Sequence, residues 1–232
     1  RDGERPPENG ERPPLEGETL HSAVRSVLRL PSSPAALPRY RIWRYLTSRD
    51  YPAPHAIAYG IETEPGIEAL VYRMTAERWH SRPPKGEGPA ILYIADLSSD
   101  DELRHEPLIR ETLAADPQVP LFTCDVRGTG ESQPDTCGPG SFHKAYGSDY
   151  FYAVHSIMLD RPYVGQKTFD VLRVLDWLAG LGHSNIHIIG KGRGGLPATF
   201  AALLSPAVSR ITLKNALTSY ADVAESEEYD WP

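Results

Sequence analysis

The sequence predicts an α/β domain, a mostly parallel sheet with helices on both faces that is entered through antiparallel N-terminal strands. Three observations carry this expectation. Between residues 91 and 214 short, largely apolar runs alternate with amphipathic stretches, the pattern of strands buried on both faces and separated by helices. Ahead of them lie three runs rich in aromatic and β-branched residues, the mark of strands joined by turns. Finally, Gly190-Lys191-Gly192-Arg193-Gly194-Gly195 connects an apolar run to a helical stretch, and such sheets hold their ligand crevice at the carboxyl ends of the strands.

Taken in order, residues 1–19 form a linker. They contain the direct repeat Gly3-Glu4-Arg5-Pro6-Pro7 and Gly10-Glu11-Arg12-Pro13-Pro14, too polar and Pro-rich to bury surface. Residues 20–54 are a lead-in. Leu20, Val24, Val27 and Leu28 stand at helical spacing and predict a helix over 20–30, stopped by Pro31, before a strand over 40–46. The domain proper runs over 55–232. It opens with strands over 56–61 and 69–74, joined through Glu64-Pro65-Gly66, where Pro presets φ and Gly supplies a positive one. After the Pro-rich break 81–89 come a strand over 91–95, a helix over 106–115 and a strand over 120–126. Val171, Val174, Leu175 and Leu178 share one face of a helix over 168–180, with Thr168 as its N-cap and Gly180 as its stop. A strand over 185–189, a helix over 197–204 and a strand over 210–214 follow. The sequence opens on Arg1 without a signal peptide and runs out soon after that last strand, so the expectation is a piece of a longer protein whose sheet is incomplete at the C-terminus.

Composition narrows the classes of function. The 232 residues are 40% hydrophobic, enough for one sizeable core, and no run approaches the roughly 20 apolar residues that cross a bilayer. A formal charge of −7, without clustered Lys and Arg, excludes a nucleic-acid surface. The two cysteines, Cys124 and Cys137, read as thiols, with a disulfide as the alternative, and leave the compartment open. No second ligand accompanies His143 or His155 at metal spacing, so no metal and no cofactor are expected.

The Gly-rich turn has two readings. Gly190, Gly192 and Gly195 fit G-x-G-x-x-G, a dinucleotide fingerprint. That motif needs an acid about 20 residues on, whereas the next strand ends Leu213-Lys214-Asn215-Ala216. The turn also fits G-x-S-x-G, the nucleophile elbow, with Gly192 in place of the serine. A second stretch supports the elbow: Asp125-Val126-Arg127-Gly128-Thr129-Gly130-Glu131-Ser132 leaves the earlier strand as a Gly-punctuated loop. D-x-R-G-x-G-x-S followed by a Gly-flanked strand-turn-helix resembles the α/β-hydrolase superfamily. Gly165-Gln166-Lys167-Thr168-Phe169-Asp170-Val171-Leu172-Arg173 and Lys214-Asn215-Ala216-Leu217-Thr218-Ser219-Tyr220 make the chain similar to its acetyl xylan esterase and dienelactone hydrolase-like branch over 55–232.

The resemblance implies an α/β-hydrolase fold, ester hydrolysis on acylated carbohydrate and a nucleophile, acid and histidine in that chain order. It also implies an oxyanion hole at the loop 96–99, with Asp96, Leu97 and Arg193 as candidates. Gly192, flanked by Gly190 and Gly194, can hold the elbow's backbone but cannot attack a carbonyl. Ser205 and Ser209 lie beyond the following helix. Lys191 and Arg193 read as solvated flanking charges, Asp222, Glu225, Glu227, Glu228 and Asp230 as a solvated acidic face, and Arg127 as the anchor of its own loop. All eight histidines, His21, His55, His80, His105, His143, His155, His183 and His187, precede the turn. The expectation is therefore a segment that is non-catalytic by itself, a scaffold or binding domain for acylated carbohydrate or for a neighbouring domain of the same protein. An ester hydrolase with a nonstandard nucleophile, or with its catalytic unit elsewhere in the parent protein, and a nucleotide-binding domain remain as alternatives. Large bacterial members of the branch carry more than one hydrolase-like unit, and export is suggested only by the family's polysaccharide substrates.

Overall fold

The computed structural model describes residues 15–32, 36–47, 49–78, 82–133 and 150–226. The linker repeat, Cys137, His80, His143, Glu227, Glu228 and Asp230 lie outside them. Seven strands, β1 (Tyr40–Thr47), β2 (His55–Glu64), β3 (Ile67–Thr75), β4 (Ile91–Ile94), β5 (Leu121–Asp125), β6 (Ile186–Lys191) and β7 (Val208–Lys214), form one sheet in the order β1-β2-β3-β5-β4-β6-β7. β1 to β3 and β3 to β5 pair antiparallel, whereas β4 pairs parallel with β5 and β6, and β6 with β7. The sheet is thus mixed rather than mostly parallel, because β3 turns against β5 and carries antiparallel pairing one strand beyond the N-terminal hairpins. The lead-in shares this sheet, since β1 is paired along its length with β2.

Alternation along each strand divides the interior into two cores. Ile57, Tyr59, Ile61, Val71, Leu92, Ile94, Phe122, Cys124 and Ile188 face one side. There they meet α5 (Tyr163–Gly180) and α6 (Gly195–Leu204), with Val24 of α1 (Gly17–Val27) packed against them. Ala56, Leu70, Tyr72, Ile91, Tyr93 and Leu121 face the other, against Leu103 of α2 (Ser99–His105) and Ile109 of α3 (Pro107–Ala115). At the centre of the first core the Trp177 ring lies 5.4 Å from Tyr59, 5.9 Å from Tyr40 and 6.1 Å from Phe122, aromatic packing that ties α5 to three strands.

Several helix boundaries differ from the sequence expectation for identifiable reasons. α1 ends at Val27, before Pro31, because Arg29 takes φ +51 and the N–H groups of Arg29 and Leu30 return to Ser26 and Arg25, a Schellman closure without glycine. α5 begins at Tyr163, just after Pro162, so Thr168 is not a cap. Its hydroxyl instead donates to the Val164 carbonyl, 2.7 Å away within the helix. α2, α4 (Tyr150–Met158) and α7 (Tyr220–Glu225) were not anticipated. For α2 a signal existed: the Ser98 hydroxyl accepts from Asp101 N–H at 3.4 Å, and Asp100, Asp101 and Glu102 fill the first turn.

Trp177→Ala should remove about 3–5 kcal/mol of stability, the range for a buried aromatic cut to Ala, measured as a lower urea midpoint. An unchanged midpoint would mean that this aromatic group does not hold α5 to the sheet.

Candidate functional site

At the carboxyl end of β6 the chain makes a single 3-10 turn over Gly192–Gly194 and enters α6. The glycines answer two different demands. Gly194 lies so close to the end of β4 that a Cβ there would meet the Ile94 and Ala95 carbonyls at 2.5 and 2.7 Å. Gly192 has φ +49, the left-handed region where side chains are strained. A Cβ at Gly192 would also lie 2.4 Å from Oδ1 of Asp96. That carboxylate is held in place by the Arg193 N–H, which donates to Asp96 Oδ1 at 3.0 Å.

Asp96 belongs to the loop that leaves β4, and this loop is wound around one buried acid. Glu102, 4% exposed, accepts the N–H groups of Asp96 and Leu97 at 2.9 Å each and that of Ser98 at 3.4 Å. Its other oxygen takes the Tyr93 hydroxyl at 2.5 Å. Asp96, Leu97 and Arg193 are therefore neighbours, but the Leu97 and Arg193 amides do not converge on a shared space as an oxyanion hole would. Each donates to a separate carboxylate of the protein.

Lys191 is not a solvated flank. Its ammonium lies 2.9 Å from Glu106 and 3.9 Å from Glu102, and Lys214 reaches Glu106 at 2.5 Å. Glu106 also accepts the Leu108 N–H at 3.0 Å, capping α3. Burial works against the Lys191 charge, but Glu106, Glu102 and Asp96 overcome it and raise the pKa above the usual lysine value. This amine stays protonated and is no nucleophile. Burial likewise opposes ionisation of Glu106, yet Lys214, Lys191 and the Leu108 N–H bring its pKa down to about 2. Arg193, by contrast, is exposed.

The loop after β5 is fixed from below. Asp125, wholly buried, accepts the N–H groups of Ser99 at 2.7 Å and Glu131 at 3.2 Å. Burial pushes its carboxyl up to about 7, against the ionised form that these donors favour. Arg127 pairs with Asp170 of α5 through its backbone N–H (3.0 Å), Nε (2.8 Å) and Nη2 (2.5 Å), and with Glu64 of β2 at 2.8 Å. Gly128 and Gly130 have φ +76 and +51, and the Ser132 hydroxyl donates to the Glu68 carbonyl at 2.5 Å. The Gly130 N–H donates to Leu97 O at 2.8 Å, so this loop and the Asp96 loop are joined. All five residues singled out in this stretch hold the loop's shape.

Other candidates stand elsewhere. Ser205 ends α6 and Ser209 lies within β7. His187 bonds Thr212 at 2.9 Å, His55 bonds Tyr45 at 2.7 Å and His105 bonds Asp101 at 3.0 Å. His155 lines a cavity of about 510 Å³ with Arg127, Glu131, Arg161 and Gln166. Sequence reasoning missed Glu102, Glu106 and Asp170. Only Asp170 had a signal, its place in the 165–173 stretch.

No family model matches the chain, nor does the sequence of any curated protein. Among solved structures, the fold is similar to that of a protein assigned as an acetyl xylan esterase of Bacteroides fragilis, with TM-score 0.59 and 14% identity over 83% of this chain and 50% of that one. An acetyl xylan esterase of a Thermoanaerobacterium species is similar at TM-score 0.51 and 14% identity over 90% of this chain and 63% of that one. The chain spans less than two thirds of the length of either structure, and at these identities the likeness is one of fold. The protein thus has an α/β fold with a mixed sheet.

Two acids should dominate the pH dependence of stability. Glu106, depressed to about 2, contributes stability that is present above pH 4.5 and lost as the pH falls toward 2. Asp125, raised to about 7, acts in the opposite sense, so stability declines as the pH rises from about 4 to 7. Urea midpoints across pH should show Glu106→Gln flattening the acid limb and Asp125→Asn flattening the limb between pH 4 and 7. Limbs that keep their slopes in the variants would exclude these groups as the cause.

Proposed function

We propose that this chain is an α/β-hydrolase-fold domain of carbohydrate-esterase type in which the nucleophile elbow persists as architecture, so that the segment does not hydrolyse esters by itself. One observation carries this reading: at the crest of the β6 turn stands Gly192, without a hydroxyl, and the space its side chain would need is filled by the Asp96 carboxylate. Among the described residues, nearby groups do not supply a substitute. Lys191 is held protonated by Glu106, while Ser205 and Ser209 lie at the far end of α6 and in β7. The nucleotide alternative is weakened by the same contact, because Asp96 puts a negative charge at the entrance to α6, where a pyrophosphate would bind. What remains is a scaffold or binding role, with acylated carbohydrate or a neighbouring domain as the partner.

The purified chain should release no p-nitrophenol from p-nitrophenyl acetate above the rate of the same protein after denaturation, and a fluorophosphonate probe should leave it unlabelled. Covalent labelling at any residue, located by peptide mass mapping, would replace this reading with that of an ester hydrolase using a nonstandard nucleophile.

A further inference from the structure

We propose that Asp96 and Gly192 are a matched pair: the Asp96 carboxylate is a built-in occupant of the elbow, and position 192 tolerates only glycine while that carboxylate is there. This inference rests on reading residues 190–195 as an elbow and adds what closes it. In an active elbow, the N–H of the residue after the nucleophile donates to the oxyanion of the reacting ester. Here the corresponding N–H, that of Arg193, already donates to Asp96 Oδ1 at 3.0 Å. An ester carbonyl approaching this crest would meet a carboxylate rather than a free donor.

The same carboxylate excludes a side chain at 192. A Cβ there would lie 2.4 Å from Asp96 Cγ and Oδ1 and 2.7 Å from Oδ2, where ordinary contact begins at 3.4 Å. Relief requires Asp96 to swing away, which strips the Arg193 N–H of its acceptor, or the turn to shift. The turn has little freedom, since Gly194 is pressed against the Ile94 and Ala95 carbonyls and the Asp96 backbone is tied to Glu102. Loss of a serine from an elbow would by itself leave an empty donor. In this protein the donor has an acceptor from within the chain, so a single Gly192→Ser change does not reopen the crest.

The test is a double-mutant cycle read by thermal melting. Gly192→Ala should lower Tm by at least about 3 °C more in the native background than in an Asp96→Ala background, about what 1 kcal/mol moves a chain of this size. An Asp96→Asn background, which keeps the bulk, should behave like the native one. Should Asp96→Ala fail to fold, Asp96→Ser serves as the short side chain. Amide exchange supplies a second readout: Gly192→Ala and Asp96→Ala should each speed exchange of the Arg193 amide about tenfold, as expected for losing a charge-assisted hydrogen bond. Equal Tm losses for Gly192→Ala in the native and Asp96→Ala backgrounds, or an Arg193 amide indifferent to both changes, would overturn the pairing. Those results would leave the non-catalytic reading standing, whereas probe labelling of the native chain would sink that reading and leave the cycle untouched.

Discussion

Where parallel strands end and helices begin, backbone N–H groups point beyond the last ladder bond, and once buried they must find an acceptor. In this protein side-chain carboxylates supply it. Glu102 gathers the Asp96, Leu97 and Ser98 amides, Asp125 the Ser99 and Glu131 amides and Asp170 that of Arg127, while at the exposed crest Asp96 accepts that of Arg193. Charge-assisted bonds of this kind are strong, and each one fixes a loop. They differ in how the buried charge is balanced. Asp170 has Arg127 beside it and Glu102 has Lys191 within 3.9 Å, whereas Asp125 forms no ion pair among the described residues and its proton affinity rises. The backbone donors around the crest are therefore consumed internally.

Much of the architecture was readable in advance because periodicity reports burial. The largely apolar runs at 91–95, 120–126 and 185–189 became β4, β5 and β6, and the turn between β6 and α6 lies where it was expected. What periodicity could not convey was direction. Nothing in residues 67–75 states that β3 should lie antiparallel to β5, so the balance of the sheet was misjudged. Boundaries that depend on one local contact, such as the left-handed Arg29 ending α1, were also hidden, because arginine carries no preference for a positive φ and Pro31 two residues on reads as the stop. The site was less legible still. Gly192 was conspicuous by type, but its meaning depends on Asp96, 96 positions earlier, and on Lys191 being ion-paired with Glu106. Such long-range pairings leave no local pattern in one sequence.

A shared fold with carbohydrate esterases does not carry their chemistry. The order β2-β3-β5-β4-β6-β7 places the β6–α6 turn at the carboxyl end of the parallel strands, and the close approach of Gly194 to β4 fixes the position of that turn. Geometry and reactivity are held by separate groups here.

Cys124 lies in β5 with no exposed surface, and burial lifts its thiol pKa well above the ordinary value. Alkylating reagents need a thiolate and a path to it. Modification of this sulfur accordingly counts the moments when the central strands come apart, so the residue is a natural clock for opening of the interior, indifferent to the redox state of whatever surrounds the folded chain.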